Sequence, residues 1–308
     1  MKLPAQENEK QSLAFGGQAL IEGVMIRSHK HLVICVRQPN NEILTHIEEI
    51  NSLSEKHWVL RLPFLRGIIA LFETLYLGVK GIFFSANATL DEEEEFTYKE
   101  FLITIVMALV LASFFLIVPF LLTALLNLRG LVFNIVEAIV RLTFFLLYLA
   151  LVSMWGEFRR ILQYHGAEHK AINAHEAGSS LNVSDIKKFP RLHSRCGTSF
   201  IFVVVFVSIL LFSLMPDLGF TARLAYRLVL VPAIGAISYE LLKLSDKHKD
   251  SAIMRFLTIP GLAFQRLATK EPDDDMVEVA AKAVMEIRRL SSSLQTSSSN
   301  NRSANAHV

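Results

Sequence analysis

Phe101–Leu128, FLITIVMALVLASFFLIVPFLLTALLNL, carries no charged residue. A helix needs about 20 apolar residues to cross the hydrocarbon core of a bilayer. This stretch therefore reads as a membrane span and decides the fold class. Similar runs follow. Leu131–Trp155 is a second candidate, interrupted by Glu137 and Arg141, which stand four apart with the acid first and can pair along one helix face. Cys196–Pro216 also carries no charged residue. Ala225–Leu242 carries Arg227 and Glu240 near its ends, with Pro232 and Gly235 inside. Both residue types are tolerated in membrane helices where neighbours satisfy the freed backbone groups.

The composition agrees. Of 308 residues, 52% are hydrophobic and only 19% charged, whereas soluble domains carry about 25% charged residues. An ordinary cytosolic enzyme and a disordered chain are thereby disfavoured. A net charge of +2 gives no footprint for nucleic acid. Two cysteines are too few for a disulfide scaffold.

Phe64–Phe84 is different. Arg66, Glu73 and Lys80 recur every seven residues as one polar stripe, and the remaining surface is apolar. That pattern predicts an amphipathic helix over 61–90, lying in the interface or packed on the spans. With four spans, the segment before residue 101 holds ten Lys and Arg, the 156–199 segment seven, and the segment after Leu242 ten. Such asymmetry puts both termini and the central loop in the cytoplasm of an inner (plasma) membrane protein. A fifth crossing at 64–84 would send the basic N-terminal segment outward. No signal peptide precedes the first apolar run.

The expected fold is a membrane α-helical bundle of about four transmembrane helices, with a small cytoplasmic α+β part. The N-terminal segment, the central loop and the C-terminal segment build that part. Residues 1–12 are polar and expected to be disordered. The 13–60 segment reads as strands Ala19–Arg27, His31–Gln38 and Glu42–Glu48, with a turn at Pro39-Asn40-Asn41. The 243–290 segment is expected to be helical, including Asp273–Leu290 with acidic residues at its start. Ser291–Val308 is Ser- and Asn-rich and expected to be a disordered tail.

The chemistry-bearing residues cluster in the 156–195 segment. Tyr164-His-Gly-Ala-Glu-His-Lys170 places His165 and His169 four apart, on one helix face, where two imidazoles can share a metal ion. His-x-x-Glu-His inverts the zincin order, in which two His bind zinc and the Glu activates water. Glu168 is then the candidate catalytic base. A catalytic zinc commonly has three protein ligands, and the further candidates are Glu176, His193, Cys196 and Glu240. Together, His165, His169, His193 and Cys196 would instead make a closed, structural site. Simple burial of the two histidines on an amphipathic helix is the alternative without metal. His165 lies ten residues past Trp155, and a bend at Gly156 would keep it near the membrane.

Other features carry less. Glu22 sits in an otherwise apolar strand, and Gly16-Gly17 reads as a turn. Lys187, Lys188, Arg191 and Arg195 form a basic patch suited to anionic lipid.

Gly16-Gly-Gln-Ala-Leu-Ile-Glu-Gly-Val-Met-Ile-Arg27, Pro63-Phe-Leu-Arg-Gly67, Tyr164–Lys170, Arg195-Cys-Gly-Thr-Ser-Phe200, Ser238-Tyr-Glu240, Pro260-Gly261 and Glu271-Pro272 together resemble the YqhQ-like bacterial membrane proteins. The resemblance runs from about residue 13 to 290. It implies a multi-pass membrane protein with a metal-dependent activity, and matches family residues at Glu22, Arg27, His165, Glu168, His169, His193, Cys196 and Glu240. The chain departs from the family's His-Pro-Arg-Cys with His193-Ser194-Arg195-Cys196, which loosens a turn but keeps both candidate ligands. Two functions follow as expectations. One is a metal-dependent hydrolase, holding a divalent ion such as zinc and acting on a membrane-proximal substrate. The other is a non-catalytic membrane scaffold with a structural zinc site that binds a protein partner. Membrane lipid is a partner in either case.

Overall fold

Strands come first in the chain. The computed structural model describes residues 15–53, 57–90, 97–193, 196–215, 219–247 and 252–305. Residues 1–12 lie outside these. The predicted strand Ala19–Arg27 is in fact a hairpin, β1 (Gly16–Leu20) and β2 (Gly23–Arg27), paired antiparallel with Leu20 opposite Gly23. The turn falls at Ile21 and Glu22, where Glu22 takes φ 49°. Two-residue hairpin turns need positive φ and usually announce it with Asn-Gly or Asp-Gly; Glu22-Gly23 lacks that signature. Gly16 and Gly17 belong to β1 rather than to a turn.

Strands β3 (His31–Arg37) and β4 (Ile43–Glu49) complete an antiparallel meander in the order β1-β2-β3-β4. Their hairpin closes at the expected turn, with Asn41 at φ 69° and the Glu42 amide donating to Asn40 Oδ1 at 2.9 Å. Alternate residues of β2 and β3 face opposite cores. Val24, Ile26, Val33 and Cys35 pack into one, with Tyr164, Ile172, Met276 and Val284. Met25, Leu32, Ile34 and Val36 pack into the other, with Leu77. Burial on both faces explains why these strands read as continuous apolar runs rather than alternating ones.

Nine helices are described. They are α1 (Leu65–Thr89), α2 (Tyr98–Ala124), α3 (Gly130–Val152), α4 (Gly156–Glu176), α5 (Val183–Ile186), α6 (Gly197–Ser213), α7 (Phe220–Lys247), α8 (Ala252–Ala268) and α9 (Asp274–Asn305). A 3-10 turn, Trp58–Arg61, precedes α1. Helices α4 and α9 cover one sheet face and α1 the other, while α2, α3, α6 and α7 pack in sequence, with α8 against α6.

Among the described residues, four helices are long and apolar enough to cross a membrane: Leu65–Thr89, Leu102–Ala124, Gly130–Val152 and Phe220–Leu244. The set differs from the one expected. The 196–216 run yields a helix of only 17 residues, about 25 Å at the α-helical rise. Helix α1 passes on length and composition. Its polar stripe nevertheless turns inward, with Arg66 on Glu240, Glu73 accepting from Ser52 and Leu53, and Lys80 on Glu48. Phe72, Leu75 and Tyr76 are left exposed. Inside the bundle, the expected Glu137–Arg141 pair forms, and Arg227 of α7 also donates to Glu137. Helix α9 runs through Ser291 to Asn305, where a disordered tail was expected. Ser and Asn are only weakly unfavourable in a helix, and no Gly or Pro interrupts this stretch.

Candidate metal centre

Helix α4 carries the motif, and each motif residue has a distinct physical task. Tyr164 is fully buried, and its hydroxyl donates to Glu22 Oε2 at 3.2 Å. Arg160, one turn earlier, grips both oxygens of the same carboxylate. Glu22 thus ties the β1–β2 turn to α4. A Cβ on Gly166 would lie 2.1 Å from the Lys270 carbonyl oxygen. Only glycine lets the segment after α8 cross the helix there, where the Lys270 amide donates to the Leu162 carbonyl at 2.8 Å. Lys170 donates to the carbonyls of Lys187 and Phe189, both at 3.0 Å, and pairs with Glu271 at 2.6 Å.

These contacts fix the two imidazoles. His165 Nδ1 donates to the Ala268 carbonyl at 2.8 Å, and His169 Nδ1 donates to the Arg191 carbonyl at 2.6 Å. A backbone carbonyl can only accept, so each neutral ring carries its proton on Nδ1 and presents a bare Nε2. Metal-ligating histidines are commonly oriented in this way. The rings lie 4.4 Å apart, and His165 Nε2 is 3.3 Å from Cys196 Sγ. One donor atom from each of His165, His169 and Cys196 falls within a 4.8 Å set.

Glu168 stands beside this set. Its Oε2 is 3.9 Å from both Nε2 atoms, is buried, and has no hydrogen-bond partner. Burial pushes its carboxyl above the ordinary range, opposed by the charges of His165 and His193. Burial likewise holds the His169 imidazole below its usual value, which favours the neutral, ligand-competent form. Gly17 backs onto Glu168, and a Cβ there would lie 2.3 Å from Oε1. The double glycine is therefore a close approach of β1 to the site. His165 is the most accessible of the three donors, with 16% of its side chain exposed, so any approach from solvent is on that side.

The donor set suits a divalent ion: two imidazoles in a fixed tautomer, one thiol and an orphaned buried carboxylate oxygen. The remaining candidates are placed differently. His193 Nε2 donates to Glu176 Oε1 at 3.3 Å, and its ring is 5.8 Å from that of His169. Gln265 clamps the His193 backbone from both sides at 2.8 Å. Glu240 lies with α1, both oxygens held by Arg66. The carbonyls of Ala268 and Arg191, and the Gln265 clamp, were not visible as site elements. Gly17 and Gly166 mark close approaches of other segments to α4, which the reading of Gly16-Gly17 as a turn did not anticipate.

The two cysteines contrast. Cys35 is fully buried in the sheet against Thr45, and burial pushes its thiol up to about 11. Cys196, where α6 begins, faces the imidazoles. No disulfide joins them.

A family model described as "Protein of unknown function (DUF1385)" matches residues 62–289. The chain belongs to this family. It is also 34% identical, over 303 residues, to the uncharacterized protein YqhQ of Bacillus subtilis (strain 168), covering 90% of this chain and 93% of that one. No solved structure matches the chain. The matched residues include α4, Cys196 and Ala268, and begin after the sheet.

Proposed function

We propose that this protein is a multi-pass membrane hydrolase that depends on a divalent metal, most simply zinc, held by His165, His169 and Cys196 on the cytoplasmic side of a bacterial inner membrane. One observation carries the reading: three metal-ligating atoms converge while the adjacent Glu168 Oε2 is buried without a partner. A closed structural site would use His193 as the fourth ligand. Its Nε2 on Glu176 favours a three-ligand site with one open side.

Held there, a divalent cation supplies a Lewis acid and acidifies water to a pKa of about 7. The protein's own groups do the rest. The Ala268 and Arg191 carbonyls keep both Nε2 lone pairs aimed inward. Glu168 takes the proton of the attacking water, and its raised affinity for protons fits that work. It can then return the proton to the leaving group. Cys196 immediately precedes the apolar helix α6, so a substrate anchored in the bilayer, a lipid-linked molecule or a membrane-proximal peptide, suits the position.

Glu168→Gln tests the reading. The variant should fold, keep its metal and fail to complement a strain lacking the protein. A metal-loaded variant with full cellular function would instead favour the structural-zinc scaffold.

A further inference from the structure

Helix α1 is long and apolar enough to cross a bilayer, yet its packing does not run that way. Its main packing partners among the described residues are α7, β1, β3 and the 3-10 turn, and α2, α3 and α6 are not among them. The close contacts with α7 sit toward the C-terminal end of that helix. A Cβ on Gly67 would lie 3.1 Å from the Ala236 carbonyl oxygen, Leu71 meets Gly235, and Arg66 reaches Glu240. The rest of α1 lies on the sheet. A Cβ on Gly78 would lie 2.6 Å from Gln18 Oε1, and one on Gly81 would lie 3.2 Å from Leu20 Cδ2. Leu77 is buried with Leu32 and Ile34, the Ile21 amide donates to Ser85 Oγ at 3.3 Å, and Lys80 pairs with Glu48.

The sheet fixes the level of this half. Strand β4 stands at the sheet's edge and carries Glu48 and Glu49. An edge strand has unpaired amides and carbonyls, which hydrocarbon cannot satisfy. The sheet therefore stays outside the acyl region, and residues 77–85 of α1 stay with it. The opposite side of the helix is a different surface. Leu65, Phe72, Leu75, Tyr76 and Ile82 recur at the three-, four- and seven-residue spacings of one helix face. All five are exposed, the middle three between 64% and 68%. The three charges of α1, on Arg66, Glu73 and Lys80, are all engaged on the other side. An exposed apolar stripe of this kind marks a protein or membrane contact. Acyl chains are the occupant because the stripe adjoins the exposed apolar flank of α7. Val229 and Val231 are exposed there, within about two turns of the Ala236 contact.

We propose that α1 lies in the plane of the leaflet nearest the sheet, with Leu65, Phe72, Leu75, Tyr76 and Ile82 among the acyl chains, and so moors the sheet to the bilayer. An amphipathic helix seated in this way buries its apolar face about 5–10 Å into the boundary between headgroups and acyl chains. Gln18 rests on Gly78 while its neighbour Gly17 backs onto Glu168, so the moored helix sets the height of the α4 cluster above the leaflet. The proposal does not depend on that cluster holding metal.

The test uses full-length protein in phosphatidylcholine vesicles, carrying Trp58→Phe and Trp155→Phe, with a single tryptophan returned by Leu65→Trp, Tyr76→Trp or Ile82→Trp. The vesicles hold lipid brominated either high on the acyl chain or near its end. All three reporters should be quenched about twofold more strongly by the high bromines. Phe114→Trp, midway along the apolar stretch Leu102–Ala124 of α2, should show the reverse preference and calibrates depth. A crossing helix would separate Leu65 from Tyr76 by about 16 Å of depth, so preferential quenching of the Tyr76→Trp protein by the deep bromines would overturn the proposal. Quenching of none of the three by either lipid would also overturn it, making protein, such as a second copy of the chain, the occupant. Each reporter replaces an exposed side chain, so circular dichroism should return the parent's melting curve. Phe72→Trp, aromatic for aromatic, takes the place of any reporter that melts early.

Discussion

Two buried polar clusters lie at different levels of this molecule, and they are built to opposite rules. In the bundle, both Glu137 oxygens are taken, one by Arg141 and one by Arg227, while Asn134 bridges Arg227 to the Phe212 carbonyl. The Arg227 guanidinium also lies over the rings of Phe120 and Phe212, at 4.9 and 4.4 Å. Around α4, by contrast, the imidazoles are fixed from outside and point inward at a thiol and an unpartnered carboxylate oxygen. Both Nδ1 atoms are bonded to carbonyls, whereas His165 Nε2 meets the Cys196 thiol and Glu168 Oε2, 3.9 Å from both Nε2 atoms, has no hydrogen-bond partner. The ion-pair network fastens helices together through both Glu137 oxygens, although Arg141 Nε and Arg227 Nε have no hydrogen-bond partner. A set of fixed donors converging on one point is an arrangement for binding something else. Buried polar groups are costly when unpaired, so the second arrangement is an expense the fold carries for a ligand.

That contrast can be broken in several ways. Glu137→Gln should have the largest effect, because it strips both arginines of their counterion inside the bundle. Removing one partner of a buried pair costs about 3–5 kcal/mol, so the variant should be poorly expressed, with a much lower melting temperature in detergent. Normal folding with lost function would instead make Glu137 a functional group. Gly166→Ala should come next. Its methyl group would strike the Lys270 backbone and move the Ala268 carbonyl from His165, at a cost of about 1–3 kcal/mol together with weakened metal retention.

Smaller effects sharpen the comparison. In metal-free protein, Glu168→Gln should raise the melting temperature by a few degrees. The sign follows from linkage: a carboxyl raised by burial loses stability as pH climbs from its unfolded value of 4.5 through its folded one, and Gln removes that loss. A drop would mean that Glu168 is there for stability. His169 works in the other direction. Its lowered value means that its contribution is fully present above 6.5 and fades as pH falls from 6.5 through the folded value. Metal-free His169→Ala should therefore show a shallower acid-side decline in melting temperature than the parent, and an unchanged slope would exclude this origin.

Much of this was legible from local pattern. The charge-free run at 101–128 became most of α2, Glu137 and Arg141 paired at their four-residue spacing, and His165 and His169 shared a face. What stayed hidden depends on contacts between distant segments. Arg66 meets Glu240 across 174 residues, Arg227 meets Glu137 across 90, and the Ala268 carbonyl reaches His165 across 103. No spacing rule anticipates such partners. The β1–β2 hairpin was missed for a local reason, since Glu22 takes a positive φ that the sequence marks only by the following glycine. Helix α1 packs on α7 and the sheet, one of the two placements its polar stripe allowed, but the partners of that stripe, Glu240 and Glu48, were not readable from the pattern.

The most direct measurement is the metal content of full-length protein purified through a tag other than polyhistidine, compared with His165→Ala plus His169→Ala. The parent should carry about one equivalent of a divalent transition metal and the double variant almost none, with both still folded. A metal-free parent under these conditions, or equal metal in the two, would contradict the assignment of this cluster as a metal centre.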